Sequence, residues 1–139
     1  MTLTIDGYQN LLQRLNAVAL KYGRAAGDVQ LLAASKRQSI DTIRSVAAYG
    51  QRHFGENYLQ EAQSKITALA PLELEWHFIG QLQSNKTRVV ATLFDWVHGV
   101  DRLKIAQRLN DQRPEEAAPL NVCVEVNISG ESAKGGVPL

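Results

Sequence analysis

Hydrophobic positions follow two different spacings along this chain, and their alternation predicts a repeated order of helices and strands. Apolar residues recur every three or four positions in some segments and form short continuous runs in others. The predicted strands are Val29–Ser35, His53–Glu56, Glu75–Ile79, Trp96–Val100 and Leu120–Ile128. The predicted helices are Ile5–Tyr22, Ser39–Tyr49, Tyr58–Leu69, Asn85–Phe94 and Asp101–Gln112, with Ser39 and Asp101 as N-caps and Gly50 as a C-terminal stop.

This order indicates an α/β fold with about five parallel strands, because right-handed crossovers make successive strands of βα units parallel. Two architectures fit: a doubly wound open sheet, or the N-terminal portion of a (β/α)₈ TIM-type barrel. The chain has no Gly-x-Gly-x-x-Gly fingerprint and no Walker-type loop, which weakens the nucleotide-binding version of the open sheet.

The length of the chain can be compared with that of a complete barrel. A barrel needs eight strands and about 250 residues, whereas the chain has 139 residues and ends in a predicted loop over residues 130–139. We therefore expect a single partial domain, residues 1–139, that lacks the C-terminal strands, and an open sheet edge through which copies could associate.

Composition narrows the class of protein. The chain is 45% hydrophobic and 21% charged with a formal net charge of +1, which argues against binding nucleic acid through bulk charge. No signal peptide is visible, and no apolar run approaches the roughly 20 residues that span a bilayer. The single cysteine, Cys123, excludes an internal disulfide. We expect a cytoplasmic protein without a membrane segment.

Polar residues follow the predicted strands at their carboxyl ends, where α/β proteins bind ligands. Lys36 ends the first strand, and desolvation there can lower the pKa of a lysine far enough for attack on a carbonyl. By itself, however, Lys36 is better explained as a strand-end lysine that reaches water. Asn57 and Asp101 also have a structural explanation as N-caps. The three histidines lack metal-ligand spacing, and we assign no metal.

Three segments together are much more specific than any one residue. They are Leu31–Lys36, His53–Tyr58 and Glu75–Lys86, and the pattern continues through His98–Leu103 and Asn127–Ser129. These segments resemble the pyridoxal phosphate homeostasis proteins, small single-domain relatives of the N-terminal barrel of alanine racemase. The resemblance covers nearly the whole chain from about Val29.

The resemblance implies a fold type III barrel that carries pyridoxal 5′-phosphate as a Schiff base on Lys36. It also places Asn57 beside the cofactor ring and His77 in the same barrel mouth. In this family the phosphate is held by a loop from the last part of the barrel, which this chain does not reach. Residues 84–86, Ser-Asn-Lys, have two readings: a capped, solvated helix start, or a contact with substrate or partner.

The resemblance further implies a non-catalytic carrier and regulator of pyridoxal 5′-phosphate in vitamin B6 homeostasis, with PLP-dependent apo-enzymes as candidate partners. One alternative is a racemase or decarboxylase of the same barrel type. Racemisation needs an acid or base on each face of the cofactor, one of them usually supplied by a second domain, and the chain shows no second domain. The other alternative is a truncated fragment without independent function.

Overall fold

The computed structural model describes residues 5–139 as parallel strands alternating with helices. The strands of the main sheet are β1 Ala33–Ala34, β2 His53–Glu56, β3 Glu75–Phe78, β4 Trp96–Val100 and β5 Asn121–Val124. The helices are α1 Ile5–Lys21, α2 Ile40–Ala48, α3 Leu59–Ala68, α4 Thr87–Leu93 and α5 Leu103–Gln112. Two short 3₁₀ helices, Ala70–Leu72 and Ser84–Lys86, precede β3 and α4.

The order of the strands decides between the two predicted architectures. The sheet runs β1-β2-β3-β4-β5, and every neighbouring pair is parallel. A doubly wound sheet reverses its strand order at a switch point, whereas a barrel adds each strand beside the previous one. The sequential order is that of a (β/α)₈ barrel segment, and the predicted fold class is confirmed.

Two strand predictions were wrong in length. β1 has only two residues instead of Val29–Ser35, because it lies at the edge of the sheet and has a single partner, β2. The predicted strand Leu120–Ile128 is interrupted after Val124. The chain then forms β6, Val126–Asn127, which pairs in parallel with β7, Val137–Pro138, within the segment that was predicted as a loop.

The sheet separates two environments. Its outer face packs Phe54, Trp76, Phe78 and Val97 into a core shared with the helices, and alternation along the strands turns the neighbouring residues to the opposite face. That inner face carries a row of histidines. In a barrel, the inward-facing side chains of the strands pack together in the interior. The outer face of this sheet is therefore apolar, whereas the inner face carries polar imidazoles.

The helix starts only partly follow the sequence. The Ser39 hydroxyl accepts a hydrogen bond from Thr42 N at 3.1 Å, so its predicted N-cap role is confirmed. The cap predicted for Asp101 is wrong, because α5 begins after Arg102 with no side-chain cap. Asp101 instead accepts a hydrogen bond from Gly136 N. None of the helices among residues 5–139 combines the length and apolar character needed to cross a membrane.

Candidate functional site

Lys36 occupies a tight turn directly after β1. Gln38 N donates to Ser35 O at 3.0 Å and closes the turn, and Arg37 has a φ of 60°, in the left-handed region that non-glycine residues rarely adopt. The Lys36 side chain is exposed, so the expected desolvation is not present around it. The reason is topological, since β1 is the edge of the sheet and, in the part of the chain that the structure describes, no strand pairs with its other side.

A buried lysine holds the start of this turn. Lys65, on α3, is only 3% exposed, and its Nζ donates to Ser35 O at 2.7 Å and to Glu56 Oε1 at 2.7 Å. Glu56 is fully buried at the end of β2 and also accepts from Ser35 Oγ at 2.6 Å. The residue before Lys36 is therefore fixed by its carbonyl and by its hydroxyl.

Glu61 holds the other side of the turn. Its Oε1 accepts a hydrogen bond from Arg37 N at 2.6 Å and another from Lys65 Nζ at 2.6 Å. The bond from Lys65, with the Arg37 N–H, holds the pKa of Glu61 below its ordinary value. The peptide groups before and after Lys36 are thus tied to one ionic cluster, which we call the turn clamp (Glu56, Glu61 and Lys65). The clamp offsets the cost of the left-handed Arg37.

The pairing register of β1 and β2 places Asn57 beside this turn. Ala34 pairs with Gly55 across β1 and β2, so Lys36 and Asn57 each stand two residues beyond the same pair, at the carboxyl ends of neighbouring strands. Asn57 Oδ1 is buried and has no hydrogen-bond partner among the described residues. A buried amide oxygen without a partner is costly, and such an atom is free to bind a ligand.

The Asn57 loop sits against a glycine that leaves no room for a side chain. A Cβ on Gly80 would stand 2.6 Å from the Asn57 backbone oxygen. We expect Gly80→Ala to destabilise the protein by about 1–3 kcal/mol, because the Asn57 backbone must move to relieve the overlap. Chemical denaturation measures the change.

The control for that substitution is Gly99→Ala, whose Cβ would stand 3.2 Å from Gly80 O. This contact is tight but not impossible, so its effect should be smaller. Equal stability of Gly80→Ala and the wild type would show that the Asn57 loop is not held as the structure indicates.

His77 lies on the inner face of β3 in a row of three imidazoles. Its Nε2 is 3.0 Å from His53 Nδ1 and its Nδ1 is 2.9 Å from His98 Nε2, while its ring stacks on Trp96 with centroids 5.3 Å apart. Burial, with the neighbouring His98 and His53, lowers the pKa of His77 to about 4. Burial also lowers the pKa of His98. His77 is therefore neutral near pH 7, and both of its nitrogens have partners.

The structure brings some of the sequence-predicted residues together and leaves others apart. Lys36 and Asn57 share the carboxyl edge of the sheet. His77 shares their face by alternation but joins the histidine row, and Asn57 does not cap α3, which begins after Tyr58 with no side-chain cap. Lys86 lies, exposed, in the 3₁₀ helix that precedes α4.

Sequence reasoning missed the turn clamp. One signal was available, because Lys65 follows Ala62 by three positions on the buried stripe of α3. A lysine on that stripe needs an acidic partner. Glu61, four residues earlier on the same helix, is one of the two acids it meets.

The amino-acid sequence of this chain is similar to those of known proteins. No family model matches the chain. A pyridoxal phosphate homeostasis protein from Pseudomonas aeruginosa is 52% identical over 136 residues, covering 98% of this chain and 59% of the relative. One from Vibrio cholerae is 50% identical over 133 residues, covering 93% of this chain and 56% of the relative. This chain is homologous to the pyridoxal phosphate homeostasis proteins. It spans a little under 60% of the length of those two relatives.

Solved structures agree with that relationship. PipY of Synechococcus elongatus, determined with PLP bound, superposes with a TM-score of 0.74 at 38% identity, covering 91% of this chain and 57% of PipY. The crystal structure of an unknown protein from Bifidobacterium adolescentis superposes with a TM-score of 0.81 at 34% identity, covering 95% of this chain and 58% of that protein. The resemblance to the pyridoxal phosphate homeostasis proteins is thereby confirmed in both sequence and fold.

Proposed function

We propose that this protein binds pyridoxal 5′-phosphate through Lys36 and serves PLP homeostasis without catalysing a reaction of its own. The observation that carries the proposal is that the Lys36 turn lies at the same edge of the sheet as the buried Asn57 Oδ1, which has no hydrogen-bond partner within residues 5–139. The names of the homologous proteins and the PLP bound to PipY support it.

The residues present suit the cofactor. When bound, pyridoxal 5′-phosphate supplies an aldehyde that condenses with a primary amine and releases one water. The exposed Lys36 amine can reach such a group, while the turn clamp holds the backbone from which it projects. Asn57 Oδ1 can accept a hydrogen bond from a ring substituent or a protonated ring nitrogen. His77 forms part of the inner face below, engaged with the other histidines.

The proposal also covers the remaining strands of the barrel, the phosphate-binding loop and the recipients of the cofactor. We place residues 1–139 in one barrel domain, whose further strands would cover β1 and β5 and supply the phosphate-binding loop. In the described sheet β5 has one neighbour, β4, and its Val122 and Val124 side chains are exposed, so the free edge of β5 suits such pairing, or pairing with a second copy of the chain. PLP-dependent apo-enzymes are the proposed recipients of the cofactor, in the cytoplasm.

Mapping of the modified lysine tests the proposal. Purified protein is mixed with pyridoxal 5′-phosphate, its imine absorbance is recorded, and borohydride then fixes the adduct for peptide mass analysis. The pyridoxyl group is expected on the peptide that contains Lys36, at one equivalent per chain. Modification spread over exposed lysines such as Lys86 and Lys104 would overturn the assignment of the site.

A second measurement separates the carrier from the enzyme. Protein loaded with pyridoxal 5′-phosphate is incubated with L-alanine, and optical rotation is followed. We expect no change. Loss of optical activity at a rate that depends on Lys36 would contradict the non-catalytic role and support the racemase alternative.

A further inference from the structure

The amino edge of the sheet groups three potential metal ligands on two neighbouring strands. His53 and Glu75 are the first residues of β2 and β3 and are paired directly in the parallel register. His77 lies two residues after Glu75 on the same face. His53 Nδ1 is 3.3 Å from Glu75 Oε2 and 3.0 Å from His77 Nε2, and one ligand atom from each residue lies within 4.8 Å of the others.

We propose that His53, Glu75 and His77 bind a divalent transition-metal ion, with Zn²⁺ as the preferred ion. Two imidazoles and one carboxylate are a ligand set that zinc commonly takes. With metal–ligand bonds of 2.0–2.2 Å in a tetrahedron, ligand atoms lie about 3.4 Å apart. The His53–Glu75 and His53–His77 separations, 3.3 and 3.0 Å, are within a few tenths of an ångström of that value. Nitrogen donors disfavour Mg²⁺ and Ca²⁺, which prefer oxygen.

Each of the three proposed ligands also contacts a further side chain that is not itself a ligand. His98 Nε2 faces His77 Nδ1 at 2.9 Å, so when Nδ1 carries the proton, the lone pair of His77 Nε2 can bind the ion in place of its hydrogen bond with His53 Nδ1. Trp96 Nε1 donates to Glu75 Oε2 at 3.3 Å. The Gln30 amide contacts His53 Nε2 and can accept its proton when the amide oxygen faces the ring. Such outer contacts orient metal ligands and set the tautomer of each imidazole.

The location separates this site from the one proposed for the cofactor. His53 and Glu75 begin their strands, whereas Lys36 and Asn57 follow the ends of theirs. The Glu75 side chain is 49% exposed and that of His53 is 14% exposed, so an ion can enter from the amino edge. Three protein ligands leave a fourth position for water. The inference does not depend on the proposed binding of pyridoxal 5′-phosphate.

Zinc titration tests the site. The protein carries Cys123→Ser as a background substitution, because Cys123 is a free thiol that could bind metal by itself. After chelator treatment and desalting, Zn²⁺ is titrated in competition with a chromophoric chelator. We expect one tight equivalent per chain. His53→Ala, His77→Ala and Glu75→Gln should each weaken binding by more than about 100-fold, beyond the 10–100-fold that losing an outer contact costs.

Two matched variants complete the design. Glu73→Gln removes an exposed carboxylate two residues from Glu75 and should leave the affinity unchanged. His98→Ala should weaken binding by about 10–100-fold. Glu75→Gln changes a half-exposed group and should keep the fold, so it remains informative if a histidine variant unfolds. The absence of a tight equivalent, or equal Zn²⁺ affinity of Glu75→Gln and the parent protein, would overturn the inference.

Discussion

Replacing Lys36 by alanine is expected to reduce the borohydride-fixed pyridoxal 5′-phosphate adduct to background and to remove the imine absorbance band. The physical reason is that the proposed covalent link requires a primary amine on a fixed backbone, and Lys36 stands in a turn held at both of its peptide groups. Absorbance titration followed by mass analysis of the reduced protein measures the loss.

Two variants control this result. Lys36→Arg keeps the positive charge but not the reactive amine, since a guanidinium stays protonated in proteins, so it should behave like Lys36→Ala. Lys86→Ala removes an exposed lysine elsewhere on the surface and should leave the adduct intact. A full absorbance band in Lys36→Ala would remove Lys36 from the site.

Lys65→Met should destabilise the protein by about 3–5 kcal/mol, because it leaves Glu56 as a buried carboxylate without its cation. Glu56 is fully buried, and its Oε2 already lacks a partner among the described residues. The substitution also removes the donor to Ser35 O and so loosens the turn that carries Lys36. Denaturant unfolding measures the free energy, and the adduct yield at a fixed cofactor concentration reports on the turn.

A double substitution distinguishes the ion pair from simple packing. Adding Glu56→Leu to Lys65→Met removes the unpaired charge, so a large part of the lost stability should return. Lys104→Met, on the exposed side of α5, is the matched control and should stay within about 0.5 kcal/mol of wild type. If Lys65→Met matched this control, the turn clamp would contribute nothing to stability.

Much of the fold could be predicted because hydrophobic spacing reflects local geometry. Strands β2 and β4 have the predicted boundaries, and Ser39 caps α2 as expected. The errors fall where tertiary contacts override local preference. The apolar run Val29–Ser35 gives only a two-residue strand because it has one neighbour. The strand predicted through Ile128 breaks where β6 turns to pair with β7.

The candidate site could be predicted only in part. Lys36 and Asn57 were found because both follow strands and belong to segments that resemble a family. Their assigned roles toward the cofactor stay predictions. Lys65 and Glu61 were missed because their contacts with the Lys36 turn cross 24 to 30 residues of sequence. The local pattern on α3 indicates only that Lys65 needs an acidic partner.

The sequence alone therefore determined the class of fold, the family resemblance and the lysine at the end of the first strand, because strand and helix periodicity and motif composition are local properties. Only the tertiary structure decided which side chains meet. The sequential strand order distinguished the barrel segment from the open sheet. The register of β2 against β3 paired His53 with Glu75, although they lie 22 residues apart. Pairing of this kind depends on how whole strands and helices pack together, and the spacing of residues along the sequence does not predict it.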